Sequence, residues 1–314
     1  MTIRDSNWFT ARFGHITMDN IYDNLKDKII YNPPTATKKN FSITSDILSF
    51  KRCKRQYGFY QVRKFVAAGA PQLFFGKVIH STLDRIHSYF RGDEDITTRG
   101  IIPKDDLVED FFYEQVAILR NQGVYIMGKK ACDAALEYIM HFNNQYGSDI
   151  YPRIIDTEYR LQTNNGDFMI TGIVDVLAKS HVEAIEIEEP IYSEYEIWDY
   201  KGGKRPKKDC YEMKNYLYQM QVYSYLYRQR TQTYPKKAII WFMAEKNESQ
   251  AKLEVEIKPE MVDNAIIDFT NTVKKIEQCT LENDWLPPKI PPTKDTCSAC
   301  DFRHSCANWK THSL

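Results

Sequence analysis

The chain is organised around the stretch IWDYKGG, residues 197–203. Successive side chains of an extended strand alternate between its two faces, so Asp199 and Lys201 lie on one face. Trp198 and Tyr200 lie on the other face. The pattern therefore predicts a carboxylate and an amine side by side at the end of an apolar strand.

A predicted hairpin precedes this strand in the sequence. The run RIIDTEYRLQT (153–163) is followed by NNGD, a strong turn signal, and then by FMITGIVDVLAK (168–179). The second run carries Asp175 among apolar neighbours. Glu158 in the first run either faces the same site as Asp175 or points to solvent, and both interpretations are open.

Asp175, Asp199 and Lys201 together suit a site for phosphodiester hydrolysis. Two aspartates on neighbouring strands supply the oxygen ligands that Mg²⁺ or Mn²⁺ prefers. A lysine two residues past the second aspartate can hold a nucleophilic water or stabilise charge on phosphorus. The spacing therefore predicts a divalent-metal phosphodiesterase site.

The composition limits the class of protein. A chain of 314 residues with 43% hydrophobic residues allows one large domain or two small ones. Basic and acidic residues balance at 42 each, so binding to nucleic acid has to come from local patches. No apolar run approaches the length of a membrane span, and the first residues lack the apolar region of a signal peptide. We therefore expect a cytoplasmic protein.

The chain is predicted to consist of an extension and one folded domain. Residues 1–40 form an N-terminal extension that ends in the linker-like run NPPTATKKN, and residues 41–314 form the domain. Gly123 and Gly147 stand where two of its helices would end. Helices are predicted at 74–90, 104–122, 128–146, 211–230 and 259–278, and further strands at 236–245 and 252–258.

The tail, residues 285–310, is rich in proline and cysteine. It contains Cys297, Cys300 and Cys306 in a C-x2-C-x5-C pattern. Such clustering in a cytoplasmic chain indicates a metal centre rather than disulfides. Three thiolates need a fourth ligand, for which there are two candidates. His304 would complete a tetrahedral zinc site, whereas Cys53 would complete the four thiolates of a [4Fe–4S] cluster.

Two glutamine–tyrosine pairs lie on the predicted helix 211–230. Gln219 and Tyr223 are four residues apart and share a face. Gln221 and Tyr225 have the same spacing on nearly the opposite face. Only one of these pairs can point at the site.

In this order, the segments resemble the iron–sulfur members of the RecB-like branch of the PD-(D/E)XK nucleases. That branch includes the CRISPR-associated adaptation exonucleases and the nuclease domain of AddB. The resemblance runs from about Phe41 to Trp309. It implies an α/β core with a mixed central sheet flanked by helices, and an iron–sulfur cluster that ties the ends of the domain together.

The resemblance also implies roles for residues of the catalytic centre. The segment GKVIHSTLD resembles the histidine motif of the branch and makes His80 a metal ligand. GIVDVL and WDYKGG make Asp175 and Asp199 the metal carboxylates and Lys201 the catalytic lysine. The backbone carbonyl of Tyr200 is a further candidate oxygen ligand for Mg²⁺ or Mn²⁺.

Two choices left open by the residues alone are also made by the resemblance. QMQVY matches the helix motif of the branch, which selects Gln219 and Tyr223 as residues of the catalytic site. SFKRCKRQYGFY resembles the N-terminal cluster segment, which selects Cys53. The cluster ligands implied in this way are Cys53, Cys297, Cys300 and Cys306.

The function implied by the resemblance is metal-dependent DNA exonuclease activity on single-stranded or unwound DNA ends, in DNA repair, recombination or phage defence. One alternative is a subunit that binds DNA ends or a helicase and cleaves little. Another is a restriction-type endonuclease. The sequence has no GxxxxGK[ST] loop, so a helicase, or a CRISPR or repair subunit, would be a separate partner. The acidic segment 181–196 has no counterpart in the branch.

Overall fold

A mixed β-sheet is the centre of the fold in this computed structural model, which describes residues 38–65, 71–124, 128–180 and 191–310. The described strands form one six-stranded sheet, in which β3 pairs with three neighbours. Contacts divide the chain into Met1–Lys39 and Asn40–Leu314, and every element described here belongs to the second unit. The strands are β1 (Asn40–Ser42), β2 (Ile154–Asn164), β3 (Met169–Lys179), β4 (Tyr195–Lys201), β5 (Lys237–Phe242) and β6 (Lys252–Val255).

Five long helices flank the sheet. They are α1 (Pro71–Arg91), α2 (Asp105–Asn121), α3 (Lys129–Ile150), α4 (Tyr211–Thr231) and α5 (Pro259–Glu282). Short helical segments lie at Ile43–Leu48, Ser49–Arg52, Lys54–Tyr57, Gly58–Val62, Ile96–Thr98, Tyr151–Arg153, Glu248–Ala251, Lys294–Ser298, Arg303–Ser305 and Ala307–Lys310.

The pairing of β3 creates an opening in the sheet. One edge of β3 pairs with β2 in antiparallel register along nearly its whole length. The other edge is shared, since β1 pairs in parallel with its first residues and β4 in antiparallel register with Val176–Lys179. Strand β5 then pairs in parallel with β4, and β6 pairs antiparallel with β5. The residues of β3 between β1 and β4 therefore face the gap from which the cleft opens.

Strand alternation sends apolar side chains to a core on each face of the sheet. On one face, Ile197 packs with residues of α4 and α5. On the other face, Trp198 and Tyr200 pack with residues of α1, α2 and α3. The sheet is therefore covered on both faces, and the predicted α/β fold with a mixed sheet between helices is confirmed.

One predicted helix boundary is wrong. Gly147 does not end its helix, because α3 continues to Ile150. A Cβ atom on Gly147 would lie 3.0 Å from the Tyr151 ring, so the glycine serves close packing at this position. Gly123, by contrast, follows α2 and has a φ of +76°, as expected of a glycine that ends a helix.

Some predicted segments lie outside the described residues. These are the N-terminal extension as far as residue 37 and the acidic segment from residue 181 to residue 190. No helix within the described part of the chain combines the length and the apolar character that crossing a membrane requires.

The packing of Gly58 against Trp285 provides a test of the fold. A Cβ atom at position 58 would lie 2.4 Å from the buried Trp285 ring, so Gly58→Ala should lower the free energy of unfolding by about 2 kcal/mol. Gly76→Ala on α1 is the matched control, because no atom lies within 4 Å of its added Cβ. Denaturant unfolding of both variants measures the difference, and equal stability would contradict this packing.

Candidate active site

The end of β4 brings Asp199 and Lys201 together on the α4 side of the sheet. Lys201 Nζ lies 2.6 Å from Asp199 Oδ2, and the Asp199 side chain is almost completely buried. The two residues occupy alternate positions of one strand, so their side chains leave the backbone in the same direction. The carboxylate and the amine thus lie side by side.

Asp175 reaches the same place from β3. Its Oδ2 accepts a hydrogen bond of 2.6 Å from the backbone N–H of Tyr200, and its Oδ1 lies 3.2 Å from Nδ1 of His80 on α1. The contact with Tyr200 is possible because β3 and β4 are paired only up to Val176 and Trp198. Asp175 and Asp199 therefore converge where these two strands separate.

Burial and charge act on the two carboxyl groups in opposite ways. Burial raises the pKa of Asp199 above its usual value, against the effect of the Lys201 ammonium group. Burial also acts to raise the pKa of Asp175, but His80 and the N–H of Tyr200 outweigh it and lower that pKa. Burial would lower the pKa of His80, yet the Asp175 carboxylate raises it to about 9. The ionised forms of Asp175 and Asp199 thus depend on the neighbouring cations His80 and Lys201.

Glu158 belongs to the same group of side chains. The register of β2 and β3 places Glu158 opposite Asp175. Ligand atoms of His80, Glu158 and Asp175 all lie within 4.8 Å of one another. Glu158 has a φ of +49°, an uncommon backbone conformation for a residue other than glycine. Of the two positions that the sequence allowed for Glu158, the structure shows the one beside Asp175.

The donor set fits a divalent cation. Carboxylate oxygens of Asp175, Asp199 and Glu158 are hard ligands suited to Mg²⁺ or Mn²⁺, and the imidazole of His80 favours Mn²⁺. Asp199 Oδ2 is buried and accepts no well-aligned hydrogen bond from the described residues, although Lys201 Nζ is close. His80, Glu158 and Asp175 place ligand atoms within 4.8 Å of one another, whereas Asp199 stands outside this group. The residues present suit a divalent cation, with Asp199 as the more distant carboxylate.

Helix α4 supplies the polar contacts that hold Asp199 and Lys201. Gln219 Nε2 donates hydrogen bonds to Asp199 Oδ1 (2.8 Å) and to the Tyr223 hydroxyl (3.0 Å). Gln219 Oε1 accepts a hydrogen bond of 3.0 Å from Lys201 Nζ. Gln221, from the other pair considered, donates instead to the backbone carbonyl of Glu256. The structure therefore brings Gln219 and Tyr223 to the site and directs Gln221 away from it.

Comparison with protein families is consistent with this geometry. Residues 42–307 match the model of the PD-(D/E)XK nuclease superfamily. The chain belongs to this superfamily. The match covers both aspartates, the lysine and the glutamine described above, so the cleft is that of a nuclease-superfamily domain.

Solved structures provide a second comparison. This PD-(D/E)XK chain is similar to the protein described as "Putative exonuclease" from Eubacterium rectale, with 16% sequence identity, a TM-score of 0.49 and 92% of each chain covered. It is also similar to SSO0001, with 13% identity, a TM-score of 0.32, and 81% of this chain and 95% of that chain covered. The comparison with curated proteins gives no match.

Tyr216 is a site residue of this PD-(D/E)XK domain that the sequence did not reveal. Its ring lies 4.6 Å from Lys201 Nζ, and its hydroxyl donates a hydrogen bond of 2.6 Å to Glu212. A cation over an aromatic face is attracted by the ring electrons, so Tyr216 helps to hold the lysine. The available signal was its position three residues before Gln219, on the same side of α4.

The four cysteines implied by the resemblance line one small cavity of about 20 Å³, separate from the cleft of this PD-(D/E)XK domain. Burial raises the pKa of the Cys53 thiol, and the neighbouring Cys300 and Cys306 add to that rise. Cys297 is also buried beside these three thiols. His304 is exposed and does not line the cavity. Four sulfurs are thus gathered without the histidine.

The contacts of Gln219 generate a test of the site. Gln219→Ala should slow DNA cleavage by at least about a hundredfold, because Lys201 and Asp199 each lose a hydrogen bond of roughly 1.5–3 kcal/mol. Gln221→Ala is the matched control, since it removes only a bond to a backbone carbonyl. Its rate should stay within about twofold of wild type, a difference worth about 0.4 kcal/mol. Single-turnover rates that fall equally in both variants would contradict the assignment.

Proposed function

We propose that this chain is a DNA exonuclease that depends on Mg²⁺ or Mn²⁺ and hydrolyses phosphodiester bonds at single-stranded or unwound DNA ends. One observation carries the proposal. Asp175, Asp199 and Lys201 meet at one end of a cleft of about 930 Å³ that is open to solvent. This set of groups supports hydrolysis of a phosphate diester, whose transition state gathers negative charge on oxygen.

Asp175, Asp199, Glu158 and His80 would hold the cation. When bound, a divalent cation supplies positive charge that stabilises the negative charge developing on the phosphate. The backbone carbonyl of Tyr200 is a further oxygen ligand in this proposal. Because these groups come from α1, β2, β3 and β4, the folded sheet orients them before substrate arrives.

Lys201 would act on the reacting phosphate or on the attacking water. Its ammonium group has three hydrogens. Asp199 and Gln219 lie within bonding distance of the ammonium nitrogen, and the Tyr216 ring lies against it. These contacts limit the motion of the side chain and leave at least one hydrogen to donate toward the cleft. Lys201 can therefore orient a water molecule or stabilise an oxygen of the phosphate.

Gln219 and Tyr223 would position the reacting groups. The amide of Gln219 accepts from Lys201 and donates to Asp199, so it fixes the carboxylate and the amine relative to each other. The Tyr223 hydroxyl accepts the second amide hydrogen and locks the orientation of the amide. The oxygen of Gln219 thus faces the lysine, and its nitrogen faces the aspartate.

The exonuclease proposal is favoured over the two alternatives for different reasons. A subunit that only binds DNA ends or a helicase would not need Asp175, Asp199 and Lys201 assembled around an open cleft. A restriction-type endonuclease is disfavoured because the Gln219–Tyr223 helix and the cysteine tail resemble the exonuclease branch. We assign the activity to DNA repair, recombination or phage defence in the cytoplasm, with any helicase, CRISPR or repair subunit as a separate chain.

Substitutions at the catalytic centre test the proposal directly. Asp175→Ala and Lys201→Ala should each reduce cleavage of linear single-stranded DNA by at least about a thousandfold, because several kcal/mol of charge stabilisation is lost. Lys179→Ala is the control, since this exposed lysine at the end of β3 does not line the cleft. Nucleotide release from labelled DNA in Mg²⁺ or Mn²⁺ measures the rates.

Closed substrates separate the alternatives. An exonuclease should degrade linear single-stranded DNA and leave circular single-stranded DNA intact. Cleavage of the circle would indicate an endonuclease. Tight binding of DNA ends without cleavage by the wild-type protein would indicate an end-binding subunit, and full activity of Asp175→Ala or Lys201→Ala would refute the site itself.

We also propose that Cys53, Cys297, Cys300 and Cys306 bind a [4Fe–4S] cluster. Sulfurs around one tetrahedral zinc lie about 3.8 Å apart, given Zn–S distances of about 2.3 Å. Among the described residues, no three of these sulfurs lie within 4.8 Å of one another, a limit that the ligand atoms of His80, Glu158 and Asp175 do meet. The thiols are therefore more widely spaced than a zinc site requires. A cluster binds each thiolate through a different iron, which suits wider spacing.

The proposed cluster would join two distant parts of the sequence. Gln56 Nε2 donates a hydrogen bond of 3.1 Å to the Thr296 carbonyl, and Phe59 stacks on Phe302 at 4.0 Å. These contacts surround the cysteine cavity and bring its two segments together. The loop between Cys53 and Cys297 is long, and closing it costs several kcal/mol of chain entropy. We therefore assign the cluster a structural role.

Metal analysis tests the cluster. Protein purified without oxygen should contain about four irons per chain. Cys300→Ser should lose the iron and unfold at lower temperature, because the closure of the two segments is lost. His304→Ala and Cys132→Ser, which alter residues outside the cavity, should keep it. One zinc per chain that depends on His304 would contradict the proposal.

A further inference from the structure

The uncovered face of the β2–β3 hairpin extends the cleft away from the metal ligands. Arg160 and Gln162 alternate along β2 and therefore share this face, and Glu158 lies where the strand leaves its extended form. The register pairs Arg160 with Ile173 and Gln162 with Thr171 on β3. Arg160 and Gln162 are exposed, and Ile173 is 38% exposed although it is apolar. All of these side chains line the cleft.

Arg160 forms no close ion pair within the described part of the chain. Its charge does act on Glu158, since burial raises the pKa of that carboxyl group and Arg160 opposes the rise. Its side chain makes no hydrogen bond or ion pair with any residue in the part of the chain that the structure describes. It lies two residues beyond Glu158 on β2, a separation of at most about 7 Å along the strand. That distance is comparable to one nucleotide of an extended single strand. Arg160 thus stands about one nucleotide away from the metal ligands.

Arg230, in the last turn of α4, brings a second guanidinium group to the cleft and contacts the backbone of Arg160. Its Nη1 donates a hydrogen bond of 2.9 Å to the backbone carbonyl of Arg160, and its guanidinium lies 4.7 Å over the Tyr159 ring. No carboxylate of the described residues pairs with it. These contacts orient the group and leave its other N–H donors available. The guanidinium is therefore held in place before any ligand binds.

Charge is divided along the cleft. Its acidic lining residues, Glu158, Asp175 and Asp199, all belong to the metal end. Beyond them the lining carries Arg160, Arg230 and polar or apolar side chains, among them those of Ser42, Ser45, Gln162, Thr171 and Ile173. A cation is thus favoured at the metal end of the cleft, and an anion of the substrate is favoured beside the two arginines.

We propose that Arg160 and Arg230 form a subsite for a second phosphate of the nucleic acid, one nucleotide from the phosphate that is hydrolysed. This inference deepens the proposed function and rests on it. Guanidinium groups match phosphate oxygens in charge and geometry. Ile173, opposite Arg160 and two residues before Asp175 on β3, offers an apolar surface to the sugar or base that links the two phosphates. The subsite would hold the strand in register with the metal ligands.

Trinucleotides with two phosphodiesters test the subsite. Two modified trinucleotides are compared with the unmodified one. In each modified trinucleotide, an uncharged methylphosphonate replaces one of the two phosphates, so the other phosphate is the only bond to hydrolyse. Arg160→Gln should lower kcat/KM for the unmodified trinucleotide by roughly tenfold, as expected for loss of one charge-assisted hydrogen bond. One of the two methylphosphonates should cause a similar loss in the wild-type protein. That methylphosphonate should cause almost no further loss in the Arg160→Gln variant, because the variant and the methylphosphonate remove the same interaction.

A matched variant and a binding assay complete the experiment. Arg120→Gln removes an exposed arginine of α2 that does not line the cleft, and it should respond to the methylphosphonate as the wild type does. Binding of fluorescent trinucleotides in Ca²⁺ repeats the comparison without turnover. If the losses from the variant and from the methylphosphonate multiply in both assays, the subsite is refuted. If they fail to multiply in binding but the wild-type protein hydrolyses nothing, the nuclease proposal fails and the subsite stands.

Discussion

The active site depends on the sharing of one edge of β3 by two strands. Strand β1 pairs with the first residues of β3 and β4 with the last, so residues 172–175 face a gap. In this gap Asp175 accepts a hydrogen bond from the N–H of Tyr200. Gly172 admits α4, because a Cβ atom there would lie 2.9 Å from the Tyr223 ring. Side chains from both faces of the sheet can therefore meet at one opening.

That meeting has an electrostatic consequence. Two carboxylates, Asp175 and Asp199, are held together under burial, which opposes the ionised form of each. His80 and Lys201 compensate the charge from opposite faces, and Gln219 connects the lysine to Asp199 without adding charge. The site thus concentrates negative charge where a cation fits, while the guanidinium groups stand further along the cleft. In the proposed function, a strand bound along the cleft would contact the metal ligands with one phosphate and the guanidinium groups with the next.

The cleft and the cysteine cavity are linked through the segment that follows β1. Ser42 and Ser45 line the cleft, and Cys53, a few residues later, lines the cysteine cavity. Beyond it, Gly58 packs against Trp285 at the start of the tail. One segment of the chain therefore contributes residues to both the cleft and the cavity. This arrangement agrees with a structural role for the proposed cluster.

Local sequence patterns were enough to predict the main elements, because the alternation in β4 and the turn after β2 depend on near neighbours. The motif around Asp199 and Lys201 was visible for the same reason. The passage of α3 through Gly147 and the position of Glu158 beside Asp175 became visible only in the folded chain. The resemblance had already selected Gln219 over Gln221, and the structure shows the contacts of Gln219 with Asp199 and Lys201. It alone also revealed Tyr216 and the subsite arginines. These features depend on contacts between elements far apart in sequence, which strand alternation and helix periodicity do not encode.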